Sequence, residues 1–419
     1  MLNLPFLKKK PPQKPEFGQD LLAIDIGTEY LKALLFKTNK LGIIVQKVSR
    51  IQQQKSAMSK GIIMNLTTVL ENCKLTIEEL TSDIPPESRP RKAVLGLAGE
   101  FIQGISIIVN YERDEKHETE VTEAEQSKII AKVHNQIIQS GKEDLARRTG
   151  LLTEDIEIIH ITVTGMEIGG MPVDSMIGFK GKSVRLFFYA SFAPKTFIES
   201  LHSLTKSLEL ELSTIVSQPF AVARAFSGAR NRDFSGIFID IGGGTTDIAI
   251  VSNGNVVDTQ MFAFGGRVFT KEIADKMNLD YRHAEIRKLK YSNGQLSGKI
   301  SSETKSLMYE VSSLWMQTLQ SALEMAEDIE VLPPHIYLCG GGALLPDIKD
   351  VMIEFPWTKL LPFSVIPKIE LIRPDKLENV VDNSGMLINT YDVTPAALAK
   401  FAYDKIKNPE NYYKENKSN

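Results

Sequence analysis

The feature that most constrains the fold of this chain is a short pattern that occurs twice. Residues 21–32 (LLAIDIGTEYLK) and 236–247 (GIFIDIGGGTTD) each begin with an apolar run that leads into Ile-Asp-Ile-Gly. A polar turn rich in glycine or threonine follows, and then a second apolar run. Short apolar runs bounded by turn residues predict buried strands. Two such turns in separate halves predict a duplicated fold that holds one phosphorylated ligand between its halves.

Each copy of this pattern places an aspartate, Asp25 or Asp240, at the end of the first apolar run. Aspartate is a poor strand former and is costly to bury without a partner. The predicted partner is Mg²⁺, which keeps most of its waters and is held by one or two carboxylates together with substrate phosphates. The glycines let backbone N–H groups approach phosphate oxygens closely. An ordinary hairpin turn explains either segment alone about as well, but it does not explain the pair.

The two turns resemble the first and second phosphate loops of the actin-like ATPases, a superfamily that includes actin, the heat-shock chaperone ATPases and sugar kinases. Residues 215–223 (IVSQPFAVA) resemble the helix that connects the two halves, and residues 336–346 (IYLCGGGALLP) resemble the adenosine loop. All four segments occur in the order of the family and together span most of the chain. The resemblance implies an α/β protein with a duplicated actin-like (ribonuclease H-like) ATPase fold. Two domains would surround a nucleotide cleft that takes ATP and Mg²⁺.

The resemblance also implies which residues form the site. Asp25 and Asp240 would hold the hydration shell of Mg²⁺, and with Gln218 they form the implied catalytic set. Gln218 would orient the attacking water, which suits slow hydrolysis because a carboxamide is not a strong base. The residues expected to contact the nucleotide are Gly27, Thr28, Lys32, Gly242, Gly243, Gly244, Thr245, Thr246, Asp247, Glu285, Lys288, Gly340, Gly341 and Gly342.

Several of these residues also have an ordinary structural explanation. Gln218 could make only a hydrogen bond at the side of its helix, and Asp247 could cap its own turn rather than help to place the metal. Glu285 and Lys288 would contact the ribose or adenine, but residues three apart on a helix can equally form a simple ion pair. The three glycines at 340–342 could be a plain turn between a strand and a helix.

Turn signals and hydrophobic periodicity divide the chain into segments. Three strands are predicted over 18–50 and again over 236–266, and a capping box of Thr122 and Glu125 begins a helix within an α+β insert. The predicted segments are a flexible N-terminal segment (1–17), the first domain (18–96 and 191–235), an inserted 1C-type subdomain (97–190), the second-domain core (236–268), a helical 2B-like subdomain (269–334), the rest of the second domain with the adenosine loop and closing helix (335–402) and a polar tail (403–419).

The position of the insert resembles that of FtsA, the bacterial cell division family in which subdomain 1C replaces the usual 1B. Gly265-Gly266 followed by Thr270, and Ala284-Glu285 followed by Lys288, resemble the segments after the second phosphate loop of FtsA. The triple glycine favours FtsA over the related PilM family of type IV pilus assembly. Two features depart from FtsA: the tail is polar where FtsA normally ends in an amphipathic membrane-anchoring helix, and the N-terminal Pro-Phe-Leu-Lys-Lys-Lys resembles PilM.

The FtsA-like interpretation implies an ATP-dependent adaptor that self-associates into filaments at the inner face of the cytoplasmic membrane. Its partner would be the tubulin-like division protein FtsZ, and it would be a slow ATPase at most. The alternative is a PilM-like protein that binds a peptide of a pilus inner-membrane protein. A small-molecule kinase of this fold is less well supported, because no catalytic carboxylate with a substrate pocket stands out. A chaperone ATPase would need a further substrate-binding domain.

Composition sets outer limits on function. The 419 residues are 42% hydrophobic and 24% charged, and the net charge of −3 gives no support for a nucleic-acid partner. Two distant cysteines, Cys73 and Cys339, indicate no disulfide framework and fit a reducing cytoplasm. No apolar run has the length of a membrane span, no signal peptide is evident, and the histidines show no metal-ligand spacing. Lys8, Lys9 and Lys10 follow a short apolar cluster that could touch a membrane surface, although a disordered tail explains it better.

Overall fold

The structure is a computed structural model that describes residues 17–99, 101–113, 119–227, 233–326 and 329–413. Residues 1–16 of the predicted N-terminal segment, with its lysines, and residues 414–419 of the predicted polar tail lie outside the described residues. The strands are β1 Asp20–Ile26, β2 Tyr30–Thr38, β3 Ile43–Gln52, β4 Met58–Ser59, β5 Ile62–Ile63, β6 Lys92–Leu97, β7 Gln103–Glu112, β8 Ile156–Ile168, β9 Met171–Val173, β10 Ser183–Pro194, β11 Glu211–Ser217, β12 Gly236–Ile241, β13 Thr246–Ser252, β14 Asn255–Phe262, β15 His335–Cys339, β16 Lys368–Leu371, β17 Val380–Asp382 and β18 Tyr412–Tyr413.

The helices cover the faces of these sheets. They are α1 Leu66–Thr81, α2 Glu123–Thr149, α3 Lys195–Ser207, α4 Gln218–Ser227, α5 Gly266–Met277, α6 Tyr281–Ser292, α7 Gly298–Glu324, α8 Pro346–Glu354 and α9 Val393–Lys407. None of them, within the part of the chain that the structure describes, combines the length and the apolar composition needed to cross a bilayer.

Two sheets repeat one plan, which confirms the predicted duplication. The first has the order β11-β6-β1-β2-β3-β17, and the second has the order β14-β13-β12-β15-β16. In each, an antiparallel meander of three strands is followed by a strand parallel to the first of them, β6 beside β1 and β15 beside β12. The first turn of each meander therefore lies at the same edge of its sheet, with Asp25 opposite Lys32 and Asp240 opposite Asp247.

Small residues let the two sheets come together around α4 and α9. The core between the sheets contains alanines from both helices, including Ala221 and Ala223 of α4 and Ala396 and Ala399 of α9. On its other face the first sheet packs against α1 and α3, and the second sheet packs against α5, α7 and α8. Alanine costs little side-chain entropy and allows close packing, so the two halves share a continuous core behind the paired turns.

The long helix α7 shows where periodicity predicts burial well and where it does not. Val311, Leu314, Trp315, Leu319 and Leu323 fall at helical spacing in the sequence, which predicts that all five lie in the core. Val311, Trp315, Leu319 and Leu323 are buried there, with at most 3% of each exposed. Leu314 was expected there too and is 52% exposed, so that prediction is wrong. A helix that packs on one sheet buries only one stripe of its surface. Leu314, although it lies three positions after the buried Val311, falls at the exposed edge of that stripe.

A third sheet, with the order β18-β8-β10-β7 and with β9 beside β8, packs against α2. Thr122 accepts a hydrogen bond from the backbone N–H of Glu125 at 3.2 Å, as the capping signal predicts. The Glu125 carboxylate pairs with the buried guanidinium of Arg113 at 2.7 Å. This sheet contacts the second half directly, where Ser106 donates to the carbonyl of Val256 at 2.6 Å.

Candidate functional site

A cavity of about 520 Å³ opens between the two halves where the turns of their meanders face each other. Its volume lies within the range of small-molecule sites. All but two of the residues that the sequence predicts for the site line it, the exceptions being Gly244 and Thr246. The lining residues from that set are Asp25, Gly27, Thr28, Lys32, Gln218, Asp240, Gly242, Gly243, Thr245, Asp247, Glu285, Lys288, Gly340, Gly341 and Gly342.

The first-half aspartate, Asp25, is held by two partners. Lys32 Nζ lies 2.7 Å from Asp25 Oδ2, across the antiparallel pair that joins β1 and β2. Gln218, the first residue of α4, donates from Nε2 to Asp25 Oδ1 at 2.7 Å. Burial alone would lower the pKa of Lys32, but the charges of Asp25, Asp240 and Asp392 together raise it. Lys32 is therefore a firmly charged ammonium at the floor of the cavity.

The second half has an aspartate where the first has Lys32, so its register places two carboxylates face to face. Burial, together with the nearby charge of Asp240, raises the pKa of Asp247 to about 8, even though the hydrogen bond that Thr245 donates to it at 3.0 Å acts to lower the pKa. Burial also raises the pKa of Asp240, whereas Lys32 and the hydroxyl of Thr394 oppose that rise. One lysine thus faces three buried carboxylates, and this imbalance favours a bound cation.

The residues fit Mg²⁺ held through its waters better than a directly ligated metal. Among the described residues, no group of three or more histidine, cysteine or acidic side chains converges as a metal cage would. Asp25 and Asp240 nevertheless face one cavity from opposite halves. Mg²⁺ characteristically keeps several waters and takes one or two carboxylates with substrate phosphates. A bound cation would also favour the charged form of Asp247.

The second phosphate-like loop is fixed from behind by the start of α5. The backbone N–H of Gly266 donates to Gly242 O at 2.9 Å, and that of Arg267 donates to Gly243 O at 2.8 Å. These are first-turn N–H groups, which have no partner within their own helix. By binding the loop carbonyls, they set its conformation beside the cavity.

Two of the loop glycines are required by the close approach of the opposite half. A Cβ on Gly243 would lie 2.6 Å from Glu29 Cβ, and one on Gly244 would lie 2.8 Å from Thr28 Oγ1. Gly244, the third glycine of the motif, is therefore needed for the contact between the halves and does not line the cavity. Gly340 has a positive φ of +84°, and a Cβ there would lie 2.3 Å from Asp240 Oδ1, so the turn after β15 admits only glycine without strain.

The expectation that Thr246 offers its hydroxyl to a ligand is corrected by its position in β13. Thr246 donates to Phe264 O at 2.6 Å and accepts from Trp315 Nε1 at 3.0 Å. Side chains alternate between the faces of a strand, so the residue after Thr245 points into the core. Thr245, by contrast, lines the cavity.

At the other end of the cavity lie Glu285 and Lys288 of α6. The two residues form the ion pair that their spacing allows, and both also line the cavity. Their charged groups lie 2.8 Å apart. Lys288 also donates to Gly266 O at 3.0 Å and to Thr270 at 2.8 Å, and the Thr270 hydroxyl donates to Glu285. The network ties α6 to the start of α5 while leaving both side chains in the cavity wall.

The lining residues that were not found from the sequence include the polar side chains of Tyr30, Arg50, Arg267 and Tyr391. Arg267 follows the Gly265-Gly266 pair and could have been considered on that ground. Tyr391 lies in a short 3-10 turn, and its carbonyl accepts from Lys32 at 2.9 Å. Nothing in the local sequence around Tyr391 indicates that the chain returns to the cavity there.

Two repeated sheets around one cavity, with paired turns that carry aspartate and glycine, define the actin-like ATPase fold. Comparison with solved structures agrees. The PilM–PilN type IV pilus biogenesis complex matches with a TM-score of 0.65 and 16% identity, over 91% of this chain and 98% of that one. The ethanolamine utilization protein EutJ from Carboxydothermus hydrogenoformans matches with a TM-score of 0.51 and 15% identity, over 93% of this chain and 92% of that one.

In sequence the chain is FtsA-like. The family model "Cell division protein FtsA" matches residues 237–383, which contain the second phosphate-like loop and the adenosine-like loop. FtsA of Enterococcus hirae is 27% identical over 259 residues, covering 57% of each chain, so the match spans little more than half of that relative. FtsA of Helicobacter pylori J99 is 21% identical over 383 residues, covering 80% of this chain and 74% of its own.

Proposed function

We propose that the cavity binds ATP with Mg²⁺ and that the chain is an FtsA-like, nucleotide-dependent adaptor. The observation that carries the proposal is the cavity itself, in which glycine-rich turns and aspartates from two repeated halves face one another around a charged lysine. A ligand that contacts both halves shifts the population toward the form in which they are together. Nucleotide binding can thereby control a surface elsewhere on the chain.

The phosphates would lie between the two turns. Gly27, Thr28 and Lys32 would face them from the first half, and the loop from Gly242 to Thr245 would face them from the second. Lys32 serves as a point charge, since its ammonium is held in place by Asp25. When bound, Mg²⁺ would neutralise phosphate charge and supply the water shell that Asp25 and Asp240 hold.

The nucleoside would lie toward α6. Glu285 and Lys288 would contact the ribose or adenine, and the glycines at 340–342 would let the backbone pass close to the base. Two hydrogen bonds keep this end of the cavity in shape: Tyr291 donates to Asp347 at 3.0 Å, and Ser292 donates to Leu344 O at 3.0 Å. They join α6 to the segment that follows the glycines.

Hydrolysis, if it occurs, would be slow. Gln218 is the lining residue placed to orient a water, and its Nε2 is already committed to Asp25. Its carboxamide can position a water but cannot remove a proton as a strong base would. This supports a switch that holds its nucleotide for long periods rather than a metabolic kinase.

We further propose that the chain acts at the inner face of the cytoplasmic membrane, assembles into filaments and binds an FtsZ-like tubulin homologue. Sequence similarity to FtsA supports this role, since the FtsA model matches the segment containing the second phosphate-like and adenosine-like loops. The predicted 97–190 subdomain, which contains β7, β8, β9 and most of β10, would offer the assembly or partner surface.

A PilM-like role is the second candidate, and one observation favours it. The structural match includes 98% of the matched chain of the PilM–PilN complex, so nearly the whole fold of that chain has a counterpart here. In that case the partner would be a short peptide from a pilus inner-membrane protein.

A pull-down with two baits separates the candidates. The full chain, with ATP and Mg²⁺, is offered the C-terminal tail of FtsZ and the N-terminal peptide of a pilus inner-membrane protein. Capture by the FtsZ tail supports the proposal, and capture only by the pilus peptide replaces it with the PilM-like role. Capture by neither, with rapid phosphate transfer to a small molecule, contradicts both.

A variant that cannot bind nucleotide tests whether capture depends on ATP. Gly341 has an ordinary φ of −71°, lines the cavity, and would meet no atom within 4 Å if it carried a Cβ. Gly341→Phe should therefore fold but obstruct the cavity, and Gly341→Ala is its matched control. Capture by Gly341→Ala but not by Gly341→Phe is the expected result.

A further inference from the structure

Arg267 joins the two halves directly, and none of the nucleotide contacts proposed above accounts for it. It is the second residue of α5 in the second half, and its guanidinium reaches the first turn of the opposite half. Nε donates to Glu29 Oε2 at 2.7 Å, and Nη2 donates to Thr28 O at 2.7 Å. Both acceptors belong to the turn that we propose faces the phosphates.

The same guanidinium also holds the segment that contains the β4–β5 hairpin. Nη1 donates to Met58 O at 2.9 Å and to Lys55 O at 3.2 Å. The Lys55 ammonium in turn lies 4.2 Å from the centre of the Tyr281 ring, at the start of α6. Two contacts of different chemistry thus fasten one first-half segment to α5 and α6.

The chemistry of these contacts makes them strong for their size. The Arg267 and Glu29 side chains are only 16% and 19% exposed. Hydrogen bonds between ionised groups are stronger than neutral ones, and the planar guanidinium can serve several acceptors at once. Removing either partner leaves a poorly solvated charge beside the cavity.

The backbone of Arg267 adds a second role to the same residue. Its N–H donates to Gly243 O, within the second phosphate-like loop. One residue therefore contacts both loops, the second through its backbone and the first through its side chain. Separation of the halves would have to break the side-chain contacts while leaving the backbone contact in place.

We propose that Arg267 is a positioning residue that keeps the two halves together over the cavity, with Glu29 as its charged partner. This inference rests on the proposed function only for its effect on nucleotide binding. If the closed form is the one that binds, the apparent dissociation constant rises by the factor by which the closed fraction falls. Loss of the guanidinium should therefore weaken binding and speed nucleotide release.

The first test measures the separation of the halves without any nucleotide. Spin labels are placed on cysteines substituted for Glu78 of α1 and Lys290 of α6, which are both exposed. The native Cys73 and Cys339 are buried and will not react. Arg267→Ala should shift or broaden the distance distribution toward longer values. Lys271→Ala, an exposed position on the same helix, should leave it unchanged.

The second test measures release of N-methylanthraniloyl-ATP with Mg²⁺ by stopped-flow fluorescence. Arg267→Ala should release it about tenfold faster or more, as expected when the closed fraction falls to a tenth. Glu29→Gln should have a similar effect, and the double variant should be little worse than either single one because the two residues act as a pair. Arg267→Lys should recover part of the effect, since it keeps the charge but not the planar fork.

The outcomes separate this inference from the proposed function. If the unaltered chain binds no nucleotide, the proposed function fails, and the distance measurement still decides the role of Arg267. The inference is overturned if Arg267→Ala and Glu29→Gln, both folded by circular dichroism, keep the distance distribution of the unaltered chain. It is also overturned if their effects on release are independent of each other.

Discussion

The buried His160 should make the stability of this protein fall as the pH is lowered toward 5. The residue is 5% exposed and lies among aromatic rings, with centroids 5.6 Å from Tyr189, 5.1 Å from Phe220 and 5.7 Å from Phe401. Its Nδ1 shares a hydrogen bond of 2.7 Å with the hydroxyl of Ser191. Burial, together with the nearby charge of Lys405, lowers the pKa of His160 to about 3.

The direction and size of the effect follow from proton linkage. An unfolded histidine has a pKa of about 6.5, so between about pH 6.5 and 3 the unfolded chain binds a proton that the folded chain does not. The stabilising contribution is complete above pH 6.5 and is lost as the pH falls toward 3. At pH 5, about 1.5 units below the unfolded pKa, the loss in free energy of unfolding is about 2 kcal/mol.

Urea unfolding of paired variants isolates this contribution. His160→Phe removes the titrating group, and His202→Phe, at an exposed position on α3, is the matched control. His160→Phe leaves Ser191 without its partner and should cost about 1–3 kcal/mol at pH 7, where His160 is neutral in both the folded and the unfolded chain. Relative to the unaltered chain, however, it should gain about 2 kcal/mol between pH 7 and pH 5. An identical pH dependence in all three chains would refute the reasoning.

Three further substitutions should report on contacts described above. Thr246→Val should lower the free energy of unfolding by about 1–3 kcal/mol, because Trp315 loses its buried acceptor, while nucleotide affinity measured by calorimetry stays unchanged. Arg113→Ala should cost about 3–5 kcal/mol in urea unfolding, since Glu125 loses a guanidinium that is fully buried; an effect below about 1 kcal/mol would contradict this. Gly340→Ala should lower the melting temperature sharply, at a cost of about 3 kcal/mol or more, because of its positive φ and the clash with the second-half aspartate.

The duplicated sheets and most of the cavity residues could be predicted because their signal is local. An aspartate at the end of an apolar run, followed by glycine and threonine, predicts a buried strand that ends in a polar turn. The equivalence of Asp25 and Asp240 in the two sheets was visible as a repeat before any contact was known. The fold then brings these residues together because the connecting helix and the sheet order repeat as well.

The residues that were misplaced or missed depend on tertiary contacts. Thr246 has the same hydroxyl group as Thr245. Its side chain contacts Trp315 because side chains alternate between the two faces of β13, and that of Thr246 lies on the core face. Arg267 gains its role from Glu29, more than two hundred positions away in the chain. Tyr391 reaches the cavity through a returning segment that has no periodicity of its own. Side-chain direction and long-range pairing are set by packing, which a local pattern does not encode.

The most direct test of the central claim is calorimetric titration of the full chain with ATP in the presence of Mg²⁺. The unaltered chain and Gly341→Ala should each bind one ATP, and removal of Mg²⁺ should weaken binding. Gly341→Phe should show no binding while keeping the melting temperature of Gly341→Ala. Absence of binding in the unaltered chain, or equal binding by Gly341→Phe, would contradict the assignment of this cavity as the nucleotide site.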